Sequence, residues 1–173
     1  FGRDRKKLQK AKRLGAIDEY TLDLKAACKD ADLVVISVPV EKTCFFMRET
    51  RKYAPGGAII IDVGSTKEKV VACAEKLFIG GNTFIGCHPL AGSERSGVAA
   101  GYSTLYKDAV CVITPAKNSN RVSLGKVKKL WHAIGSKVCV MSAAKHDTIL
   151  AQTSHLPHIV SAVLVEVLRE KNS

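Results

Sequence analysis

The sequence predicts an α/β protein with a doubly wound, mostly parallel sheet, followed by the beginning of an all-helical domain. Over residues 1–141, short β-branched runs alternate with amphipathic helical stretches, which is typical of parallel strands joined by crossover helices. From Ser142 onward the sequence has no further β-branched run bounded by turns. We therefore predict a domain boundary here, with residues 142–173 opening a helical domain.

Hydrophobic runs and turn residues define the elements of the first domain. The apolar run at 33–38 suits a strand that is covered on both faces, and Pro39 ends it. Gly15 suits the left-handed cap of a first helix. On these criteria, strands are predicted at 33–38, 58–63, 83–87, 109–114 and 137–141, and helices at 5–14, 22–29, 41–53, 66–77 and 121–134.

Both ends of the chain carry further predictions. Residues 1–4 have the pattern of a strand end, so we expect the first strand of the sheet to precede Phe1. In the helical part, Ser142 is a candidate N-cap. Pro157 should kink or restart the helix, because proline removes a backbone donor and clashes with the preceding turn.

Composition indicates a globular protein of the cytoplasm. The chain has 173 residues, of which 46% are hydrophobic, enough for one full core. Its apolar runs are shorter than the roughly 20 residues that span a bilayer, so we predict no membrane segment. The six cysteines are scattered singly, which favours reduced thiols over a disulfide framework or a zinc site.

The net charge of +11 is concentrated at the N-terminus, where seven of the eleven residues 3–13 are Lys or Arg. One interpretation is the solvated face of a helix, because Leu8, Ala11 and Leu14 keep an apolar stripe through the basic run. The other is attraction of an anion, such as a nucleotide, an acidic metabolite or nucleic acid. Binding of nucleic acid is the less favoured hypothesis among these, since no aromatic-rich strand or recognition-helix pattern accompanies the charge.

Asp4 is a candidate cofactor ligand. In a Rossmann-like fold, an acidic side chain at the end of the second strand accepts the ribose hydroxyls of NAD. Arg5 beside it could instead pair with the 2′-phosphate of NADP, so NAD is favoured and NADP stays possible. The glycine-rich turn that accompanies such an acid would lie about 20 residues upstream, before Phe1.

Two strand ends are expected at one edge of the sheet, where open α/β sheets bind ligands. Ser37, Val38 and Pro39 end the first predicted strand, and Gly64 and Ser65 follow the second. Gly64 would let a ligand approach the backbone closely, and Ser65 offers either a substrate contact or a helix cap.

His88 is the candidate proton acceptor, because it follows a predicted strand at this same edge and imidazole titrates near neutral pH. A strand-end histidine is by itself more often structural. The nearby strand ends and the glycine- and serine-rich loop that contains Ser93 favour a catalytic role here.

The segment 154–158 places Ser154, His155 and His158 around the predicted helix break. A metal site is conceivable, but no third ligand of convincing spacing appears, so no metal is predicted. Contact with an anionic substrate fits these residues better. His146-Asp147 could be a local pair or a cap, and His132 is expected to be structural.

Four segments together resemble a known family in identity, order and spacing. They are Asp62-Val63-Gly64-Ser65-Thr66-Lys67, the run Gly86-Cys87-His88-Pro89-Leu90-Ala91-Gly92-Ser93-Glu94-Arg95-Ser96-Gly97, His146-Asp147, and Ser154-His155-Leu156-Pro157-His158. On these motifs the chain resembles the prephenate dehydrogenases over essentially all of its length.

The resemblance implies oxidative decarboxylation of prephenate to 4-hydroxyphenylpyruvate, or of arogenate to tyrosine, with hydride transfer to NAD. His88 would accept the proton of the substrate hydroxyl, and Ser65 would bind that hydroxyl and orient His88. Ser154, His155 and His158 would lie on the substrate side of the cleft, and Asp4 and residues 37–39 along the cofactor. The family forms homodimers and supplies a substrate-binding arginine from later in its helical domain. Residues 1–173 alone should therefore turn over negligibly.

Two alternatives remain open. Another dehydrogenase of the 6-phosphogluconate or β-hydroxyacid type would share the nucleotide domain, but those enzymes typically use a helical lysine rather than a strand-end histidine. A non-catalytic nucleotide- or nucleic-acid-binding module would use the basic segment 5–14 as its contact surface.

Overall fold

The computed structural model describes residues 1–92 and 97–171. Its helices are α1 (Arg5–Arg13), α2 (Leu24–Cys28), α3 (Val40–Tyr53), α4 (Glu68–Leu77), α5 (Arg121–Ala133), α6 (Ala143–Leu150) and α7 (Leu156–Lys171). Its strands are β1 (Leu33–Ile36), β2 (Ile59–Asp62), β3 (Thr83–Pro89), β4 (Val110–Pro115) and β5 (Lys137–Val140). A short 3₁₀ helix at Val98–Ala100 and a π-helical turn at Ala151–His155 complete the described elements.

The five strands form one sheet in the order β1-β2-β3-β4-β5. All neighbouring pairs are parallel except β3 and β4, which are antiparallel. The prediction of a mostly parallel Rossmann-like α/β sheet is thus confirmed. The five strands and five helices predicted between residues 5 and 141 are present, with ends that differ by up to two residues.

Alternate side chains of the central strands enter two cores, one on each face of the sheet. Ile60 of β2 and Phe84 of β3 pack with Met47 and Val70 of the flanking helices α3 and α4. Ile61 of β2 and Ile85 of β3 pack on the opposite face, against Val127 and Trp131 of α5. Helices therefore cover both faces, as the continuous apolar strands predict.

Two strand predictions are corrected by the structure. Residues 1–4 form no strand, because they pair with none of the five strands of the sheet, and Asp4 caps α1. The strand predicted to end at Cys87 continues to Pro89, because antiparallel β4 pairs with it as far as the register Pro89 to Cys111. His88 is therefore the penultimate residue of β3 rather than the first residue of a loop.

The helical part begins as predicted, with Ser142 Oγ accepting a hydrogen bond from the Lys145 N–H at 3.3 Å. The π-helical turn just before Pro157 widens the helix where the proline ring would otherwise clash with the preceding turn. The helix thus restarts at Leu156. By its length and its mean hydropathy of 1.2 alone, Ala143–Glu170 could cross a membrane, a possibility that the short apolar runs of the sequence do not predict.

Candidate functional site

The predicted site residues lie at one edge of the sheet because β1, β2 and β3 run in parallel. Their register aligns Ile36 with Asp62 and Asp62 with Gly86. The next residues along each strand therefore emerge at the same edge. These are Ser37 after β1, Gly64 and Ser65 after β2, and His88 near the end of β3.

A fully buried ion pair connects the ends of β2 and β3. Lys67 donates from Nζ to Asp62 Oδ2, and also to the Cys87 carbonyl oxygen at 2.9 Å. The Gly64 N–H donates to the same carboxylate oxygen of Asp62 at 2.9 Å. Burial raises the pKa of Asp62, and the Lys67 ammonium opposes that rise. The pair holds the turn that carries Ser65 against the strand that carries His88.

Close packing around Gly64 leaves no room for a side chain at this position. A Cβ at this position would lie 2.9 Å from Val40 Cγ2 and 3.0 Å from Asp62 Oδ2. Its small size is therefore already required by the packing of α3 and the Asp62 carboxylate.

The His88 ring is half-buried and has a defined partner. Its Nδ1 lies 2.8 Å from Nε2 of His146, and the two rings meet edge to face. Burial lowers the pKa of His88 to about 4, with smaller lowering contributions from its electrostatic interactions with His146, Lys67 and His155. The ring is therefore neutral at pH 7, which is the protonation state a base requires.

His146 and Asp147 of α6 continue this chain of contacts. His146 is fully buried, and its Nδ1 lies 2.7 Å from Asp147 Oδ1. Asp147 also accepts hydrogen bonds from the N–H groups of Lys67 at 2.8 Å and Glu68 at 2.9 Å. Burial opposes ionisation of Asp147, but these hydrogen bonds outweigh it and lower the pKa of the carboxyl. Asp147 thus caps the N-terminus of α4, where the helix dipole favours an anion.

The residues predicted on the helical side lie at different depths. Ser154 and His155 are half-buried in the π-helical turn, and His155 is close enough to influence the charge on His88. His158 is exposed in the first turn of α7. Ser65 is exposed at the sheet edge. Ser93 lies outside the described residues.

The predicted cofactor residues divide between a cavity and a helix terminus. Ser37, Val38 and Pro39 line a cavity of about 480 Å³ beside β1, together with Gly2 and Arg3. Asp4 lies at the N-cap of α1, where its carboxylate accepts the Lys7 N–H at 3.1 Å. Arg5 is exposed in the first turn of the same helix.

Asp62, Lys67, His146 and Asp147 are site residues to which the sequence analysis gave no role in the site. The spacing of Asp62 and Lys67 at either end of a Gly-Ser turn was a usable signal. The prediction that His146 and Asp147 form a local pair or a helix cap is confirmed. Its contact with His88 joins residues 58 positions apart, and no local pattern reports such a contact.

The arrangement provides the neutral imidazole of His88 and the exposed hydroxyl of Ser65 at the same edge of the sheet, with His155 contributed by the helical part. Such a set can accept a proton from a substrate hydroxyl. Within residues 1–92 and 97–171, no three His, Cys, Asp or Glu residues are grouped to hold a metal ion.

Comparison with protein families places both parts of the chain. The model for the prephenate dehydrogenase nucleotide-binding domain matches residues 1–140, and the model for the prephenate dehydrogenase dimerization domain matches residues 142–173.

Individual relatives agree. The prephenate dehydrogenase of Bacillus subtilis is 36% identical over 156 residues, which is 90% of this chain and 42% of that protein. The cyclohexadienyl dehydrogenase of Zymomonas mobilis is 33% identical over 165 residues, 95% of this chain and 54% of that protein. The chain thus spans about half the length of the curated relatives it matches.

Two solved structures have the same fold. Prephenate dehydrogenase from Aquifex aeolicus, in complex with hydroxyphenyl propionate and NAD⁺, superposes with a TM-score of 0.91 at 32% identity, covering 98% of this chain and 59% of that chain. Synechocystis arogenate dehydrogenase superposes with a TM-score of 0.86 at 27% identity, covering 95% and 58%.

Proposed function

Because the chain belongs to the prephenate dehydrogenase family, we propose that the full-length protein catalyses the oxidative decarboxylation of prephenate to 4-hydroxyphenylpyruvate in tyrosine biosynthesis. The observation that carries the proposal is His88, a neutral, oriented imidazole at the ligand-binding edge of the sheet. The net charge of +11 also suits a substrate with two carboxylates.

His88 is the proposed base. It accepts the proton of the substrate C4 hydroxyl as hydride leaves that carbon, and loss of the ring carboxylate as carbon dioxide then makes the ring aromatic. Ser65 is proposed to bind the same hydroxyl from the adjacent strand end. Ser154, His155 and His158 of the helical part, together with Ser93, are proposed to contact the substrate.

Residues that could hold NAD lie beside β1. The cavity of about 480 Å³ has Ser37, Val38 and Pro39 along one side, which fits a cofactor passing the strand ends. Asp4 is proposed for the ribose hydroxyls and Gly64 for close backbone approach, while Arg5 keeps NADP possible. When bound, NAD supplies the hydride acceptor. The complex of the A. aeolicus relative with NAD⁺ supports this choice.

Arogenate is the alternative substrate, and two relatives favour keeping it. Synechocystis arogenate dehydrogenase shares the fold, and the Z. mobilis relative carries the broader name cyclohexadienyl dehydrogenase. The two substrates differ in a side-chain carbonyl or amine far from the reacting hydroxyl. The role of His88 is the same for both.

The assembly and location are part of the proposal. We propose that the chain divides into a nucleotide domain, 1–141, and the start of a helical domain, 142–173, and that the full-length protein forms a homodimer through the helical domain. The match to a dimerization domain supports the homodimer. A cytoplasmic location is supported by the six free cysteines.

The test is an assay of the full-length protein with prephenate and arogenate, each with NAD and NADP, followed by reduced-nicotinamide absorbance. His88→Asn should lower kcat by about 10²- to 10⁴-fold, the usual contribution of a general base, and leave cofactor affinity nearly unchanged. His132→Asn is the matched control, because His132 is exposed on α5. An unchanged kcat in His88→Asn contradicts the proposed base, and an inactive wild type with all four pairs contradicts the proposed reaction.

A further inference from the structure

Three ionisable side chains form a continuous line of contacts from the sheet edge into the protein. His88 Nδ1 lies 2.8 Å from His146 Nε2, and His146 Nδ1 lies 2.7 Å from Asp147 Oδ1. The line ends at the N-terminus of α4, where the Lys67 and Glu68 N–H groups donate to the two oxygens of Asp147. The backbone N–H groups at the N-terminus of α4 therefore fix the position of Asp147. Asp147 in turn orients the His146 ring, and His146 orients the His88 ring.

The donors and acceptors along this line determine which ring nitrogens of His146 and His88 carry protons. Asp147 is ionised at neutral pH, because its pKa is lowered by the N–H donors of Glu68 and Lys67 and by His146 despite its burial. A carboxylate only accepts, so the proton between Asp147 and His146 sits on His146 Nδ1. When Nδ1 carries the single proton of the His146 ring, its Nε2 is an acceptor, and the proton of the next contact then sits on His88 Nδ1. Within residues 1–92 and 97–171, no hydrogen bond uses His88 Nε2, so its lone pair is available to a substrate.

We propose that His146 and Asp147 are positioning residues that hold His88 in its Nδ1–H tautomer and share the charge His88 gains as a base. In the catalytic half of this inference, which rests on the proposed function, the substrate O–H bond breaks and its proton bonds to His88 Nε2. The Nδ1 proton of His88 then moves toward His146 Nε2, and the Asp147 carboxylate balances the positive charge. No oxidant or further reactant enters this proton transfer. A histidine held by a carboxylate follows the same logic in hydrolytic triads.

The relay, defined as His88, His146 and Asp147, crosses the boundary between the two parts of the chain. His88 belongs to β3 of the sheet, and the other two belong to α6, the first helix after Ser142. Asp147 also caps α4, which directly follows the turn carrying Ser65. Docking of α6 therefore sets the orientation of the base and the position of the adjacent serine turn together.

The groups that face His88 give the relay a pH signature. His146 and Asp147 face it from α6, Lys67 from the residue before α4, and His155 from the π-helical turn. Among them, Asp147 raises the pKa of His88, while burial and the other three lower it. Removing the charge of Asp147 should therefore lower the pKa of His88 further and move the acid limb of kcat/KM to lower pH.

The experiment compares His146→Gln and His146→Phe in the full-length protein. The glutamine amide oxygen can accept the His88 Nδ1 proton but cannot carry the transferred charge, whereas phenylalanine keeps the ring volume and does neither. Histidine ¹⁵N NMR without substrate reports the tautomer of His88, and steady-state kinetics report kcat, KM and the pH profile. Asp147→Asn tests the shift of the acid limb, and His132→Gln on the exposed face of α5 is the control.

The wild type should show His88 in the Nδ1–H form, and His146→Gln should keep it. His146→Gln should lower kcat by about 10- to 100-fold with little change in KM, and His146→Phe should lose the tautomer preference and about 10²- to 10⁴-fold in kcat. An Nε2–H tautomer in the wild type, or an unchanged tautomer and pH profile in His146→Phe, overturns the relay. An inactive wild type whose tautomer responds as expected overturns the proposed function and supports the positioning.

Discussion

At the scale of single residues, Gly86 shows how closely the sheet is packed beneath the site. It lies between Asp62 of β2 and Thr114 of β4 in the strand register. A Cβ at Gly86 would lie 2.5 Å from Thr114 Oγ1 and 3.1 Å from the Thr114 carbonyl oxygen. The second contact is with backbone, so a side-chain rotation cannot relieve it. This glycine is required by close approach.

Gly86→Ala should therefore destabilise the protein by about 1–3 kcal/mol, the usual range for overpacking a dense core. Gly125→Ala is the matched control, because no atom lies within 4 Å of a Cβ at that position in α5. The control should be stabilising by up to about 1 kcal/mol through helix propensity. Urea unfolding of both variants gives the two free energies, and equal values would contradict the packing argument.

At the scale of elements, α1 combines a strongly basic sequence with a weak attachment to the core. None of its residues is buried, so the solvated-face interpretation describes how this helix packs. Its N-terminus is fixed by Asp4, which accepts the Lys7 N–H at 3.1 Å. The residue proposed for the cofactor ribose is therefore also the helix cap, and one substitution would change both roles.

Two substitutions of Asp4 separate these roles. Asp4→Ala should destabilise α1 by about 0.5–2 kcal/mol through loss of the cap, whereas Asp4→Ser should keep the cap. Both should raise KM for NAD in the full-length protein if the carboxylate binds the ribose, because serine has no charge and a shorter reach. Thermal unfolding and KM for NAD and NADP are the measurements. A normal KM for NAD in Asp4→Ser would leave Asp4 as a cap only.

At the scale of the whole molecule, α7 is an apolar helix with little of its surface covered. Ile159 is 62% exposed and Val163 is 56% exposed, one turn apart on this helix. Exposed apolar area of this extent marks an interaction surface. The length and hydropathy of Ala143–Glu170 also suit a membrane, but the match of 142–173 to a dimerization domain supports a second copy of the chain.

Replacing Ile159 and Val163 together by glutamate should shift the proposed homodimer of the full-length protein toward monomer, because charge at an apolar interface is desolvated without a partner. Ile79→Glu is the matched control, since Ile79 is 75% exposed in the loop after α4. Sedimentation equilibrium measures the dissociation constants. A double variant that dimerises as tightly as the control would place the interface elsewhere on the molecule.

Much of the fold could be predicted because its signals are local. The runs at 33–38 and 58–63 became β1 and β2, and Gly15, with a φ of 68°, ends the first helix as expected. The parallel register then places Ser37, Gly64, Ser65 and His88 at one edge. The failures depend on pairing that a local pattern does not report: residues 1–4 have an extended pattern but pair with no described strand, and β3 continues to Pro89 because β4 pairs with it.

The sequence by itself determined the fold class, the family and the histidine at the end of the third strand. Periodicity, turn residues and contiguous motifs carry that information within a few residues of each other. Only the tertiary structure decided what surrounds that histidine. The Asp62–Lys67 pair and the His88–His146 contact depend on how β3, α4 and α6 pack, and burial and charge there set the pKa of His88. A sequence pattern names such groups, but only their packing brings a buried partner within hydrogen-bond distance.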